Sequence, residues 1–316
     1  AVGRGAGGEP GRFAADAPLE GSVVASLASL APLQPFIGTL ARVNGRVDAD
    51  LQLKGTLGAA KFTGKLAGND LRMDVPVYGL HWTDGVLRAS LADGRLLLDE
   101  FSFRAGDGKF AVSGVIAAAA RDGEAADAKA RVGTGTRLTW QAERLRATNR
   151  PDLRLVVSGN GELAFVERHL AVTGSLKVDE GRVDVETAAP GTTLGDDVII
   201  VGRPRPPATS AKRFGEVPFG VDLALDLGSA LQITGDGLQA RLAGRVHVVA
   251  APDGVLRANG TIRTVNGSYY AFGQRLTIER GRLIFDGPID NPALDIVALR
   301  KNLQVEAGVK VTGTAR

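Results

Sequence analysis

Few residues of this chain have the types and spacing that catalysis or metal binding requires. Its 316 residues include no cysteine and only three histidines, His81, His169 and His247. The histidines lie far apart in the sequence and none belongs to a ligand-spaced pair, so we expect no metal site. The missing thiols exclude a disulfide framework, a thiolate zinc site and a cysteine nucleophile. No nucleophile elbow, Walker loop or H-E-x-x-H motif occurs.

The carboxylates and the glycine-rich start of the chain give no catalytic pattern either. Acidic side chains such as Asp222, Asp226 and Glu279 stand in turns or at polar positions of alternating segments, where a solvated face accounts for them. Residues 3–8 match G-x-G-x-x-G, but a dinucleotide site needs a strand before this motif and a helix after it. We therefore predict that the protein is not an enzyme and holds no cofactor, and that residues 1–17 form a flexible arm.

Charge and hydropathy exclude two further classes of protein. The chain has 38 Lys+Arg against 35 Asp+Glu, a net charge of +3, and the two signs are interspersed, so we expect no nucleic-acid partner. No segment reaches the roughly 18 apolar residues of a membrane span. Because the chain starts without methionine or a signal-peptide core, we expect it to be part of a longer protein.

The elements that must position any site follow from an alternation of apolar and polar residues beyond Gly38. Such alternation is typical of strands with one apolar and one solvated face, as in antiparallel sheets. The pattern predicts an all-β protein, a long antiparallel meander of about twenty strands. We expect the turns at Asx-Gly dipeptides, which tolerate positive φ. These begin at Asn44, Asp84, Asp93, Asp107, Asn160, Asp236, Asp253, Asn259 and Asn266.

Two segments depart from this alternation. Val23, Leu27, Leu30 and Ala31 recur at helical spacing before Pro32, which predicts a short N-terminal helix over Leu19–Ala31. Residues 202–217 are rich in proline, arginine and lysine and are interpreted as a basic loop. A sheet of this length must curl, split or close. Its largely aliphatic face could be a filled core or could line an elongated groove for acyl chains, and composition does not choose between them.

The most distinctive motifs lie near the C-terminus. Residues 267–287 read GSYYAFGQRLTIERGRLIFDG and are followed by PIDNPALDI over residues 288–296. They contain, in order, Gly-x-Tyr, Phe-Gly-Gln-x-Leu, Ile-Glu-x-Gly, Phe-x-Gly-Pro and Asn-Pro-x-Leu-Asp-Ile, a pattern similar to the C-terminal domain of the TamB family. Further matches occur at residues 176–184, 195–203 and 233–246. The resemblance extends over residues 18–316 and is most specific in the C-terminal half.

The resemblance implies a fold and a cellular role. The fold is a long sheet curled lengthwise into a trough, the β-taco, with an apolar interior groove and a polar exterior. Family members resemble bridge-like lipid carriers: they are anchored in the inner membrane of Gram-negative bacteria, span the periplasm and pair through their C-terminal end with TamA, a BamA-like outer-membrane barrel. An anchor and the terminal segment that meets the barrel are expected outside these 316 residues.

Two functions are compatible with this resemblance. One is a passive conduit for phospholipid acyl chains between the membranes, a role in outer-membrane biogenesis. The other is a scaffold in protein secretion, in which a strand edge assists assembly of autotransporters and other β-barrels. An open apolar seam also permits a homodimer. For the conduit, the expected groove-lining residues are Phe62, Leu66, Met73, Phe101, Phe103, Phe110, Val112, Val157, Phe165, Leu176, Val183, Phe219, Val221, Leu223, Leu225, Ile233, Leu242, Val246, Ile262, Leu276, Ile278, Leu283 and Phe285.

Overall fold

The strands that the structure describes all belong to one sheet. The computed structural model describes residues 17–34, 41–56, 60–92, 94–117, 135–166, 169–185, 219–250, 255–271, 273–301 and 307–316. Within these ranges the sheet has 16 strands. Their bounds are β1 Pro18–Leu27, β2 Arg42–Thr56, β3 Ala60–Val75, β4 Leu80–Ala92, β5 Arg95–Ala105, β6 Gly108–Ala117, β7 Arg137–Asn149, β8 Leu153–Val166, β9 His169–Asp184, β10 Phe219–Asp226, β11 Leu231–Gly235, β12 Leu238–Ala250, β13 Leu256–Ala271, β14 Gln274–Pro288, β15 Ala293–Leu299 and β16 Gly308–Thr314.

Neighbours in sequence are neighbours in the sheet along nearly its whole length. The strands from β1 to β9 follow one another as antiparallel pairs, and so do those from β12 to β16. The prediction of an all-β, antiparallel meander is confirmed for these strands. The predicted basic loop over residues 202–217 and residues 1–16 of the predicted arm lie outside the described residues.

The centre of the sheet departs from a pure meander. Strands β10 and β11 lie end to end between β9 and β12. Each is parallel to β9 and antiparallel to β12. They act as one strand interrupted at residues 227–230, where Asp226 accepts the backbone N–H of Gly228 at 2.8 Å. Parallel neighbours need a crossover of a dozen or more residues, and residues 185–218 separate β9 from β10 in the sequence.

The predicted N-terminal helix is wrong. Pro18–Leu27 is strand β1, which pairs antiparallel with β2 from Pro18 opposite Thr56 to Leu27 opposite Val47. Only a short 3₁₀ turn, Ala31–Leu33, follows it. The pairing gives the backbone of this segment hydrogen-bond partners, and its β-branched valines are stiff in a helix and fit a strand.

Five of the predicted turns are also wrong, because their dipeptides lie inside long strands. Asn44, Asp84, Asn160, Asn259 and Asn266 fall within strands of 13 to 16 residues. The described strands are therefore longer than expected from sequence. The turn at Asp236 is confirmed, as is the turn containing Asp107, whereas Asp93 and Asp253 lie outside the described residues.

The sheet is curved strongly enough to bring non-neighbouring strands together. Some Cα atoms of β4 and β7 lie within 8 Å, although two strands separate them in the sheet. The hydroxyl of Thr148 donates to the carbonyl of Tyr78 at 2.7 Å, and the N–H of Asn149 donates to the carbonyl of Gly79 at 3.1 Å. These bonds clamp the end of β7 to the turn between β3 and β4. This curvature is compatible with the trough that the resemblance implies.

We predict that Thr148→Val loosens this clamp. Valine has a similar shape but cannot donate to the carbonyl of Tyr78, and Thr148 is buried. The free energy of unfolding should fall by about 1 to 2 kcal/mol in urea denaturation. Thr173→Val, at an exposed position of β9, is the matched control and should stay within about 0.5 kcal/mol of the parent. Equal effects of the two variants would contradict the clamp.

The turn between β10 and β11 should depend on pH through Asp226. The backbone N–H of Gly228 and the guanidinium of Arg245 lower the pKa of this carboxyl. Its stabilising contribution is therefore present above the unfolded pKa near 4 and is lost as pH falls through the lower folded pKa. Asp226→Asn should lower the free energy of unfolding by up to about 1 kcal/mol at pH 7, and by progressively less as pH falls below the unfolded pKa. Asp50→Asn, at an exposed strand position, is the control; a pH-independent cost would exclude this linkage.

Candidate functional site, the apolar face of the sheet

One face of the sheet is apolar from strand to strand, and we call it the apolar face. Directly opposed residues in neighbouring strands share a face, so the register can be followed across the sheet. One transverse row crosses it from β1 to β14 and contains only apolar residues and glycine. It comprises Leu27, Val47, Gly68, Leu87, Phe101, Val112, Trp140, Gly161, Gly174, Leu223, Val248, Ala258 and Gly287.

Two parallel rows extend this surface. Each links opposed residues of successive strands and is again free of polar side chains. The first comprises Ala25, Ala49, Leu66, Ala89, Leu98, Gly114, Leu138, Leu163, Val172, Val221, Ala250 and Leu256. The second comprises Phe103, Phe110, Ala142, Gly159, Leu176, Leu225, Val246, Gly260 and Phe285.

The opposite face carries the charges. There Arg144 pairs with Glu180 at 2.7 Å between Nη2 and Oε1, and Arg280 pairs with Asp295 at 2.9 Å between Nε and Oδ2. Water screens such exposed pairs, so their main effect is to keep this face solvated. A hydrogen bond from Ser102, aided by Lys109, lowers the pKa of a further carboxyl here, that of Glu100.

Between β4 and β7 the apolar face is filled by aromatic side chains. The ring centroid of Trp82 lies 5.6 Å from that of Phe103 and 5.3 Å from that of Phe110, and Phe101 meets Phe103 edge-on at 5.0 Å. With Trp140, which packs in the same core, these residues form the aromatic cluster. An aliphatic interior along the whole length was expected, and this expectation is wrong for β4–β7.

Between β11 and β16 the apolar face is open. A concave site of about 640 Å³ lies there, which we call the apolar cavity. This volume is within the range of ligand pockets. Its mouth includes Tyr269, Val309 and Val311, which are 40%, 50% and 42% exposed. Arg263 and Arg282 contribute the charges at its border.

The residues predicted to line a groove fall into four sets. Eight lie in or against the core around the aromatic cluster: Leu66, Phe101, Phe103, Phe110, Val112, Val157, Leu176 and Leu223. Three belong to a smaller core at the middle of the sheet: Leu225, Val246 and Phe285. Six line the apolar cavity: Ile233, Leu242, Ile262, Leu276, Ile278 and Leu283. The remaining six are located by their partners in neighbouring strands. Phe62 lies opposite Leu53, Met73 opposite Trp82, Phe165 and Phe219 opposite Leu170, Val183 opposite Leu153, and Val221 opposite Val172.

Sequence reasoning missed both tryptophans of this face. It did not identify β7, although Leu138, Trp140 and Ala142 alternate there with Thr139 and Gln141. The alternation breaks after Ala142, because a register shift follows before the next inward residue. That irregularity hides the strand from a strict period of two.

The described residues contain no group of three or more His, Cys, Asp or Glu side chains that could hold a metal ion. His81 and His247 are instead joined to carboxylates of their own face, Asp74 and Asp222. In the same part of the chain, no helix has the length and hydropathy to cross a membrane.

A long one-sided sheet with a continuous apolar face, part filled and part open, defines a class of extended β-proteins that present a hydrophobic surface. Comparison with known families identifies the family to which this sheet belongs. Residues 99–316 match the family model of the TamB C-terminal domain, so the chain belongs to this family. The match begins within β5, and β1 to β4 precede it in the same sheet.

One curated relative is the translocation and assembly module subunit TamB of Haemophilus influenzae. It is 26% identical over 196 residues, which are 57% of this chain and 15% of the relative. The chain therefore spans a small part of that protein's length.

The packing of the aromatic cluster should depend on a glycine in β8. A Cβ added to Gly161 would lie 2.7 Å from Cζ2 of Trp140 and 2.0 Å from the carbonyl oxygen of Thr173. Gly161→Ala should therefore lower the free energy of unfolding by about 1 to 3 kcal/mol in urea and alter tryptophan fluorescence. Gly21→Ala, where a Cβ meets nothing within 4 Å, should be neutral or stabilise by up to about 1 kcal/mol. Similar losses in both variants would contradict this packing.

Proposed function

We propose that the chain forms part of a hydrophobic conduit that carries phospholipid acyl chains across the periplasm of a Gram-negative bacterium. The observation that carries the proposal is the unbroken apolar face with its open cavity between β11 and β16. Acyl chains would lie against this face while headgroups stay in water at its margin. The longer protein would be anchored in the inner membrane and act with the BamA-like barrel TamA at the outer membrane. Membership of the TamB family supports this setting.

The energetics favour a lipid with two long chains. Removing one methylene from water contributes about 0.8 kcal/mol, so ten methylenes contribute roughly 8 kcal/mol. Association costs an estimated 4 to 15 kcal/mol in lost translational and rotational freedom. A single short chain is therefore marginal, whereas two chains of phospholipid length exceed the cost. Because the contact is apolar along its length, selectivity would come from the width and continuity of the face.

A charge in the apolar cavity tests this function. Ile262→Arg should abolish co-purification of phospholipid with the chain, because a guanidinium among Leu242, Leu276 and Leu283 opposes acyl-chain burial. The measurement is native mass spectrometry with lipid extraction. Thr261→Arg places the same charge one residue away on the exposed opposite face and should leave the bound lipid unchanged. Circular dichroism checks that both variants keep the sheet.

The outcomes separate the conduit from its alternative. Loss of lipid in Ile262→Arg alone supports the conduit. Normal lipid content in a folded Ile262→Arg variant, or no lipid on the parent chain, rejects it.

The second candidate is a scaffold for outer-membrane protein assembly, and the exposed edge strands favour it. All seven residues of β16 are exposed, and its outer edge lies at the end of the strand order. Such an edge can template an incoming strand or pair two copies of the chain. Under this function, proline at Lys310 or Val311 should impair assembly of barrel substrates, while Ile262→Arg should not.

A further inference from the structure

The aromatic cluster contains two polar atoms that its packing leaves without partners. The indole N–H groups of Trp82 and Trp140 are buried, and neither has a hydrogen-bond partner among the described residues. Trp140 is only 8% exposed. Buried indole N–H groups usually find an acceptor, because an unmade bond leaves their desolvation uncompensated. Two such donors in one cluster can therefore take an acceptor that the described residues do not supply.

The strands around Trp140 are built to hold its ring on the apolar face. Val112 and Gly161 are its opposed neighbours in β6 and β8, and Gly174 is opposite Gly161 in β9. A Cβ on Gly161 or Gly174 would lie 2.7 or 2.9 Å from Cζ2 of the indole. The two glycines therefore leave the space that the ring occupies. The indole ring, and with it the buried N–H group, is thus held on the apolar face.

The cluster remains open to a ligand despite its filling. Trp82, Phe101, Phe110 and Leu138 are only half-buried, and no large side chain of the described residues is completely buried. A ligand that packs on the cluster could therefore reach the indole edges after small side-chain shifts. Such a ligand must offer apolar surface to the rings and a hydrogen-bond acceptor to the donors.

We propose that the aromatic cluster is a lipid subsite in which the indole N–H groups of Trp82 and Trp140 donate to the ester carbonyls of a glycerophospholipid. This inference rests on the proposed conduit and adds a point of polar recognition to it. An ester carbonyl is a neutral acceptor next to an acyl chain, so it can enter an apolar site at low cost. A phosphate would bring a charge among apolar and aromatic side chains, where burial of a charge costs far more than burial of a neutral carbonyl.

Intrinsic fluorescence reports directly on this subsite, because Trp82 and Trp140 are the two tryptophans of the chain. The probe is phosphatidylcholine with brominated acyl chains, titrated into the 316-residue chain. Bromine quenches an indole in contact with it, so bound lipid should quench more than half of the emission. Trp82→Phe and Trp140→Phe then show which indole is in contact.

The donor role is tested by comparing diester and diether phosphatidylcholine. Trp140→Phe retains a ring but removes the N–H, so it should weaken diester binding about fivefold, which is roughly 1 kcal/mol. Binding of the diether analogue, which lacks the carbonyl acceptors, should be unchanged. Leu138→Ala, which removes a neighbouring apolar contact without removing a donor, should weaken both lipids equally.

Each result has one meaning. Lipid that binds by native mass spectrometry without quenching either tryptophan overturns the subsite and leaves the conduit intact. Quenching with an equal loss of diester and diether affinity in Trp140→Phe overturns the donor role. No lipid binding at all rejects the proposed function itself.

Discussion

This structure depends on one constraint, that directly opposed residues of hydrogen-bonded strands place their side chains on the same face of the sheet. We call this constraint parity. A slip of one residue between two strands would turn every side chain of one of them to the other face. The rows through Leu66 and through Phe101 stay apolar over more than ten strands, so parity is kept at each pairing. Burial of this face and solvation of the other hold the register, and the register in turn makes the face continuous.

Parity is kept even where the alternation in sequence is broken. Leu98 and Phe101 both lie on the apolar face although three positions separate them, because a register shift in β5 absorbs the odd residue. A similar shift separates Ala142 from Leu145 in β7, where Arg144 has φ +43°. Bulges of this kind bend and twist a strand. They therefore reconcile an irregular sequence with a one-sided sheet and favour its curvature.

The apolar face is packed with side chains over β4–β7 and open over β11–β16. The aromatic cluster and the clamp at Thr148 make β4–β7 the more closed part. The strands β11–β16 offer a cavity bordered by exposed valines and Tyr269. A face of uniform polarity can thus carry a segment packed with aromatic side chains and a segment with an open cavity in one sheet. The family match begins within β5, so it covers the open segment and the closed segment from Asp99 onward.

Local chemistry determined the class of fold, and tertiary pairing decided the details. Alternation over segments such as Phe219–Leu227 specifies a one-sided strand whatever it pairs with, so the all-β architecture could be read from sequence. Local pattern did not identify β1, because Val23 and Leu27 suit a helix by spacing and the ten-residue pairing with β2 decides the matter. Asn160-Gly161 suits a turn, but here the glycine makes room for Trp140 from a neighbouring strand. The parallel position of β10 beside β9 and the meeting of β4 with β7 depend on contacts between distant residues, which only the folded chain brings together.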